Sequence, residues 1–143
     1  AERCVVKGGR SERWARIALA AAKQSLRARI PEVTAPSGLP GLLADWRHAL
    51  ILVAEEGGGP PGPPPEDPQQ PILLVVGPEG GLTEPESRTL RENGARGVGL
   101  GPRRLRSETA AVALLSVARP LFDEQERSPG SENDLDTGRA SPI

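Results

Sequence analysis

The chain has 143 residues, with 18 Lys+Arg against 19 Asp+Glu, a formal net charge of -1 and only 2% aromatic residues. That length supports one modest core, the balanced charge does not announce a nucleic-acid binder although Arg10, Arg13, Arg16, Arg27 and Arg29 in one segment leave contact through a local patch open, and the single cysteine, Cys4, excludes an intrachain disulfide framework and fits a reducing cytoplasm. No signal-peptide pattern and no run of about 18 apolar residues is present, so neither secretion nor membrane insertion is indicated, and no spacing of Cys, His and carboxylates suggests a metal site.

In chain order, Ser11 is an N-cap candidate for a helix over residues 12–29, in which Trp14, Ile17, Ala18 and Ala21 recur at three- and four-residue steps. Pro31 ends it. A short helix is expected over residues 39–46, after Pro36, Ser37 and Gly38. Residues 49–54 are a continuous apolar run of the kind buried on both faces of a sheet. From 57 to 71 every residue except Glu66, Asp67, Gln69 and Gln70 is Gly or Pro. That composition predicts an exposed, flexible insertion that is neither strand interior nor helix. Residues 72–76 are the best strand in the chain. Thr83, Glu84, Pro85 and Glu86 form a capping-box pattern with a proline in the first turn, so a helix begins there, and Gly94 stops it. Residues 98–100 predict a short strand, after which Ser107 and Glu108 cap a helix to about residue 119, with Glu108 near the positive end of its dipole. Ala110, Val112, Leu114, Leu115 and Val117 leave that helix no polar face, as in a helix enclosed by protein. Residues 123–143 are polar and acidic without periodicity, which predicts a disordered tail. The expected fold class is α/β, a mostly parallel sheet with helices on both faces.

Two loops carry the candidate chemistry. Gly77, Pro78, Glu79, Gly80 and Gly81 follow the strand over 72–76 directly, and residues 100–110, reading LGPRRLRSETA, precede the apolar helix directly. Each is a sharp loop at the end of a buried strand, and in open α/β sheets ligands bind beyond the strands' carboxyl ends. Glycine leaves backbone N–H and C=O groups bare and permits positive φ, which suits Gly77, Gly80 and Gly81 to a loop laid against a nucleoside, while Pro78 stiffens it. The same residues would equally make a tight turn with no ligand. No Gly-Lys-Ser/Thr follows and no Rossmann fingerprint is present. Arg103 and Arg106 offer planar multidentate donors suited to phosphate, and would otherwise form surface salt bridges. Glu79 either holds the loop by accepting backbone N–H bonds or faces a ligand. His48 and Cys4 have no partner pattern that makes them catalytic.

These loops, in this order, resemble the signature of the ribosomal small-subunit methyltransferase E family, knotted SPOUT enzymes with a GPEGG loop and an LGxRxLRxETA loop. Glu2, Arg3 and Cys4, the stretch Ala21, Ala22, Lys23, Gln24 and Ser25, and the stretch Arg29, Ile30, Pro31, Glu32 and Val33 resemble the same family's upstream segment, so the resemblance covers most of residues 1–122. Arg104 departs from it, standing where the family usually has an aliphatic residue. The resemblance implies S-adenosylmethionine as cofactor, held by Leu74, Val76, Gly77, Pro78, Leu100, Gly101, Arg103 and Leu105, with Gly80 and Gly81 shaping the wall. It implies Arg106 and Glu79 as catalytic candidates and no metal. The implied substrate is a uridine N3 of bacterial small-subunit (16S) rRNA, free or in the assembled small subunit, methylated by a cytoplasmic homodimer with no membrane association. A C-terminal trefoil knot is implied, in a SPOUT domain over residues 1–122 whose first strand and helix, with an RNA-binding barrel, are expected to precede Ala1. Two other classes remain open on sequence: a non-catalytic RNA-binding or dimerisation module of this fold, and a nucleotide-binding α/β module using the GPEGG turn at a helix N-terminus.

Overall fold

A computed structural model describes residues 11–127, so Cys4, Arg10 and the segment beyond residue 127 lie outside the described residues. The described residues divide into two compact units: residues 11–47 with 77–94, and residues 48–76 with 95–127.

The second unit holds the sheet. Strands β1 (Leu50–Gly59), β2 (Ile72–Val75) and β3 (Arg96–Val98) lie in the order β2-β1-β3. Both pairings are parallel, with Leu50 opposite Ile72, Val53 opposite Val75, and Leu52 opposite Arg96. Leu50, Ile51, Leu52 and Val53 are all buried. Successive strand residues point to opposite faces, so this is a strand covered on both, which accounts for its unbroken apolar sequence. Helix α4 (Ser107–Arg127) presents Leu114, Ala118 and Leu121 to Leu50, Leu52 and Val98, with Ile72, Leu74, Val76, Leu100 and Phe122 packed around them. Leu52, Val98, Leu114 and Ala118 are completely shielded from solvent. Each leucine so buried is worth about 1.5–3 kcal/mol.

Besides a two-residue shift of the last strand, expected over residues 98–100 and found at Arg96–Val98, three features of this unit differ from the sequence reading. First, β1 does not stop at Ala54 but runs through Gly57, Gly58 and Gly59, because its register slips and both Ala54 and Gly59 fall opposite Val98. The glycines make the extension possible: the Gly58 backbone lies directly on the β3 backbone where no side chain could fit. Second, the Gly/Pro tract after β1 is tied down rather than independent. The Arg96 guanidinium donates to the carbonyls of Pro61 (3.4 Å) and Pro63 (3.1 Å), and Gln70 donates through Nε2 to the His48 carbonyl (2.9 Å). Third, α4 continues past residue 119 to Arg127 despite Pro120. A proline inside a helix removes one backbone bond at a cost of about 3 kcal/mol, and burial of Leu121 and half-burial of Phe122 just beyond it offset that. Nor is α4 enclosed by its own chain. Ala110, Leu114, Ala118 and Leu121 form one buried stripe, while Val112 (67% exposed), Leu115 (54%) and Val117 (38%) face outward.

The first unit is helical, with α1 (Ser11–Gln24), α2 (Leu39–Asp45) and α3 (Glu84–Glu92). Helix α1 ends earlier than Pro31 would require. Leu26 takes a left-handed φ of 55°, its N–H bonds the Lys23 carbonyl (3.3 Å) and the Arg27 N–H bonds the Ala22 carbonyl (3.0 Å), a Schellman closure with leucine where glycine is usual. Pro40 sits in the first turn of α2, where its missing N–H costs nothing. Ala22, Leu43 and Leu90 are the buried apolar residues of these helices.

Candidate functional site

A parallel sheet puts the carboxyl ends of its strands on one edge. β2 and β3 therefore leave the sheet on the same side, separated by β1 and so about 10 Å apart at two strand spacings. Leu74, Val76 and Leu100, three residues of the expected binding set, are brought together around the same core cluster at that edge. After β3 the chain passes through Leu100 and Gly101, the latter at φ 104°, a conformation L side chains rarely adopt, with open space where its side chain would be. Leu105 is half-buried, and Arg103, Arg104 and Arg106 are exposed.

The carbonyl of Arg106 accepts the N–H of Ala110 (2.8 Å) and so closes the first turn of α4. Arg106 thus occupies the cap position, one residue ahead of the expected Ser107. A cation there meets the positive end of the helix dipole, which disfavours it by about 0.3–1 kcal/mol. Helix stability does not account for Arg106.

In the helical unit, residues 77–83 form a turn closed by the Gly81 N–H on the Pro78 carbonyl (2.7 Å), with Glu79 and Gly80 at its tip. The three glycines have different reasons. Only Gly81 needs positive φ (75°), and the space beside it is open. Gly77 is there for close approach, since a Cβ would come within 3.1 Å of the Leu82 nitrogen. Gly80 lies at the exposed tip with φ outside the left-handed region. Glu79 is exposed and makes no hydrogen bond among the described residues. The carboxylate that holds the loop is instead Glu86. It accepts from the Thr83 N–H (2.8 Å) and the Thr83 hydroxyl (2.8 Å), while the Glu86 N–H donates to the Thr83 hydroxyl (3.4 Å). The reciprocal capping box predicted from sequence is therefore formed. The Thr83 backbone N–H, and then its hydroxyl, hold the Glu86 carboxyl below the usual carboxylate range.

Sequence reasoning missed Gly58, Gly99 and Arg96, which set where β3 ends and how the tract after β1 is held. The signal was present as three consecutive glycines followed by the Gly97 and Gly99 pair, but only the pairing register explains it. Among the described residues no group of three His, Cys, Asp or Glu is placed to hold a metal ion, and no helix is long and apolar enough to cross a membrane.

Residues 1–119 match the family described as the RNA methyltransferase domain. The chain is 34% identical over 140 residues to a ribosomal RNA small subunit methyltransferase E of Mycobacterium bovis, a match covering 90% of this chain and 53% of that protein. It is 36% identical over 108 residues to its namesake in Aquifex aeolicus, covering 76% of this chain and 47% of the other. The chain thus spans about half the length of the curated relatives it matches. Among solved structures it is similar to a ribosomal RNA small subunit methyltransferase E from Neisseria gonorrhoeae bound to S-adenosyl methionine, with a TM-score of 0.67 and 34% identity over 85% of this chain and 52% of that one.

Proposed function

The chain belongs to the RNA methyltransferase domain family, and on that premise we propose that it is the cofactor-binding part of an S-adenosylmethionine-dependent enzyme that methylates uridine N3 of bacterial small-subunit (16S) rRNA. The observation that carries this proposal is the pair of strand exits at Val76 and Leu100 on one carboxyl edge of a parallel sheet. Each exit runs into a loop whose glycine leaves its backbone uncovered, at Gly81 and Gly101. Such loops fit a nucleoside, which is recognised by backbone N–H and C=O groups and needs no charged cradle. The 34% identity to a protein solved with this cofactor supports the same fit.

When bound, S-adenosylmethionine supplies a methyl group already activated on a positively charged sulfur. The protein's own work is then to hold, orient and assist proton loss. Backbone groups of Leu74, Val76, Gly77, Pro78, Leu100, Gly101, Arg103 and Leu105 are assigned to the adenosyl portion, and Gly80 and Gly81 to a wall without side chains. Arg106, with the positive end of α4 behind it, stabilises the negative charge that collects on a uracil oxygen as N3 loses its proton. Glu79, exposed and without a hydrogen-bond partner among the described residues, is the candidate for taking that proton.

The uridine N3 position, the cytoplasmic setting and the knot formed by α4 rest on the sequence resemblance. A homodimer draws separate support from the outward side of α4, where Val112 and Leu115 are left uncovered. Calorimetric titration of the chain with S-adenosylhomocysteine, with ATP as competitor, tests the cofactor assignment. Binding that ATP does not displace is expected; no binding, or displacement by ATP, would turn the site into a general nucleotide pocket or a structural turn.

A further inference from the structure

Helix α1 carries cations that its own stability does not explain. Arg13 stands in its first turn and Arg16 in its second, close to the positive end of the dipole, where a cation is disfavoured. Arg13, Arg16, Ala20 and Lys23 recur at steps of three, four and three residues and so share one helical face. Ala22, the buried residue of this helix, lies nine positions from Arg13, on the opposite side. The basic face therefore points away from the part of the helix that packs. Beyond the Schellman closure at Leu26 the chain adds Arg27 and Arg29, both exposed.

None of these five cations has a side-chain hydrogen bond or ion pair among the described residues. Glu12 lies four residues before Arg16, the spacing of a helical ion pair, yet does not pair with it. From residue 12 to residue 32 the only acids are Glu12 and Glu32, so a nearly neutral chain concentrates an unneutralised positive field here. Ile17 (55% exposed), four residues after Arg13, flanks this face, giving it an apolar contact that a purely electrostatic surface lacks.

We propose that this face of α1, with Arg13, Arg16 and Lys23 continued by Arg27 and Arg29, binds the phosphodiester backbone of the RNA substrate. The proposal rests on the RNA methyltransferase reading for its partner and assigns that partner a surface distinct from the cofactor loops. From Arg13 to Lys23 the helix rises about 15 Å, and a nucleic-acid strand carries one charge per roughly 3.4 Å of its axis. The face can therefore meet several phosphates at once. It fixes register without reading sequence, since phosphate contacts position and base contacts specify.

The test uses the full chain and a fluorescein-labelled single-stranded RNA of mixed sequence, with binding followed by anisotropy across a salt series. The double variant Arg13→Gln, Arg16→Gln should bind about ten-fold more weakly at low salt, with the slope of log K against log salt reduced by roughly 0.7 per lost phosphate contact. Its helical circular dichroism and its affinity for S-adenosylhomocysteine should be unchanged. Arg13→Lys with Arg16→Lys should keep most of the binding, because a phosphate needs the charge more than the guanidinium fork. Arg88→Gln, which removes an exposed cation from α3, is the control for loss of net charge. Unchanged affinity and slope in the double variant would overturn the proposal, as would an equal loss from Arg88→Gln. Failure of wild-type chain to bind S-adenosylhomocysteine while RNA binding still depends on Arg13 and Arg16 would support this surface and count only against the cofactor assignment.

Discussion

Gly58 and Gly99 cross backbone to backbone: a Cβ on Gly58 would lie 2.7 Å from the Gly99 nitrogen, and one on Gly99 would strike the Gly58 carbonyl oxygen. The adjoining Gly59 carbonyl accepts the Gly99 N–H at 2.9 Å, so the crossing is bonded as well as close. Only glycine at both positions lets the end of β1 lie on β3 just before that strand turns into the loop at Leu100.

Gly58→Ala should therefore destabilise the chain by about 1–3 kcal/mol, the usual range for forcing atoms into a closed space. Gly59→Ala, one residue on with nothing within 4 Å of its would-be Cβ, is the matched control and should change little. Urea denaturation of the two variants beside wild type checks this. Equal midpoints would mean that β1 and β3 do not approach as described.

Leu26 offers the opposite case. It holds φ 55° at the end of α1 and is 93% exposed, so its side chain bears backbone strain without returning burial. Leu26→Gly should stabilise by about 1 kcal/mol, since glycine enters the left-handed region without the Cβ penalty. Chemical denaturation measures it directly, and a loss of stability would show that the Schellman closure is not populated in solution.

At the start of α3, Thr83→Ala should cost about 1 kcal/mol through loss of the cap. The charge of Glu86 adds a pH dependence whose sign is set by its lowered pKa. A depressed carboxyl contributes stability that is complete above its ordinary value of 4.5 and is lost as pH falls through the lower folded value. Glu86→Gln keeps the capping geometry and removes the charge. Its stability deficit relative to wild type should be constant from pH 7 to about pH 5 and should close progressively below 4.5. Melting curves over that range decide it, and a deficit that widened on acidification would refute the assignment.

Arg106→Ala should reduce methyl transfer to undermethylated small subunits far more than it reduces affinity for S-adenosylhomocysteine, because the guanidinium is assigned to the RNA side of the site. Lysine should rescue only part of the activity, restoring charge without the planar fork of donors. Removing a cation from the cap of α4 should also leave the fold intact or slightly more stable. Equal losses in transfer and cofactor affinity would move Arg106 into the cofactor pocket.

Several elements were decided by local chemistry and were legible in the linear chain. The Thr83 and Glu86 capping box needs only residues three apart, and it forms as the pattern requires. The apolar runs that became β1 and β2 are short and bounded by turn residues, and the unbroken hydrophobicity of residues 49–54 already implied a strand covered on both faces, as β1 is, whereas the edge strand β2 is only half-buried. The two glycine loops could be found for the same reason: a strand exit that opens a helix has a short-range signature. What the tertiary structure decided depends on contacts between distant residues. Gly57, Gly58 and Gly59 read as the start of a flexible insertion until β3 lies beneath them. Arg96 grips the carbonyls of Pro61 and Pro63 across more than thirty residues of chain, a bond to backbone that no side-chain pattern announces. Helix α4 passes Pro120 because the residues beyond it bury their side chains, and tertiary burial can outweigh one lost hydrogen bond where local propensity alone would stop the helix.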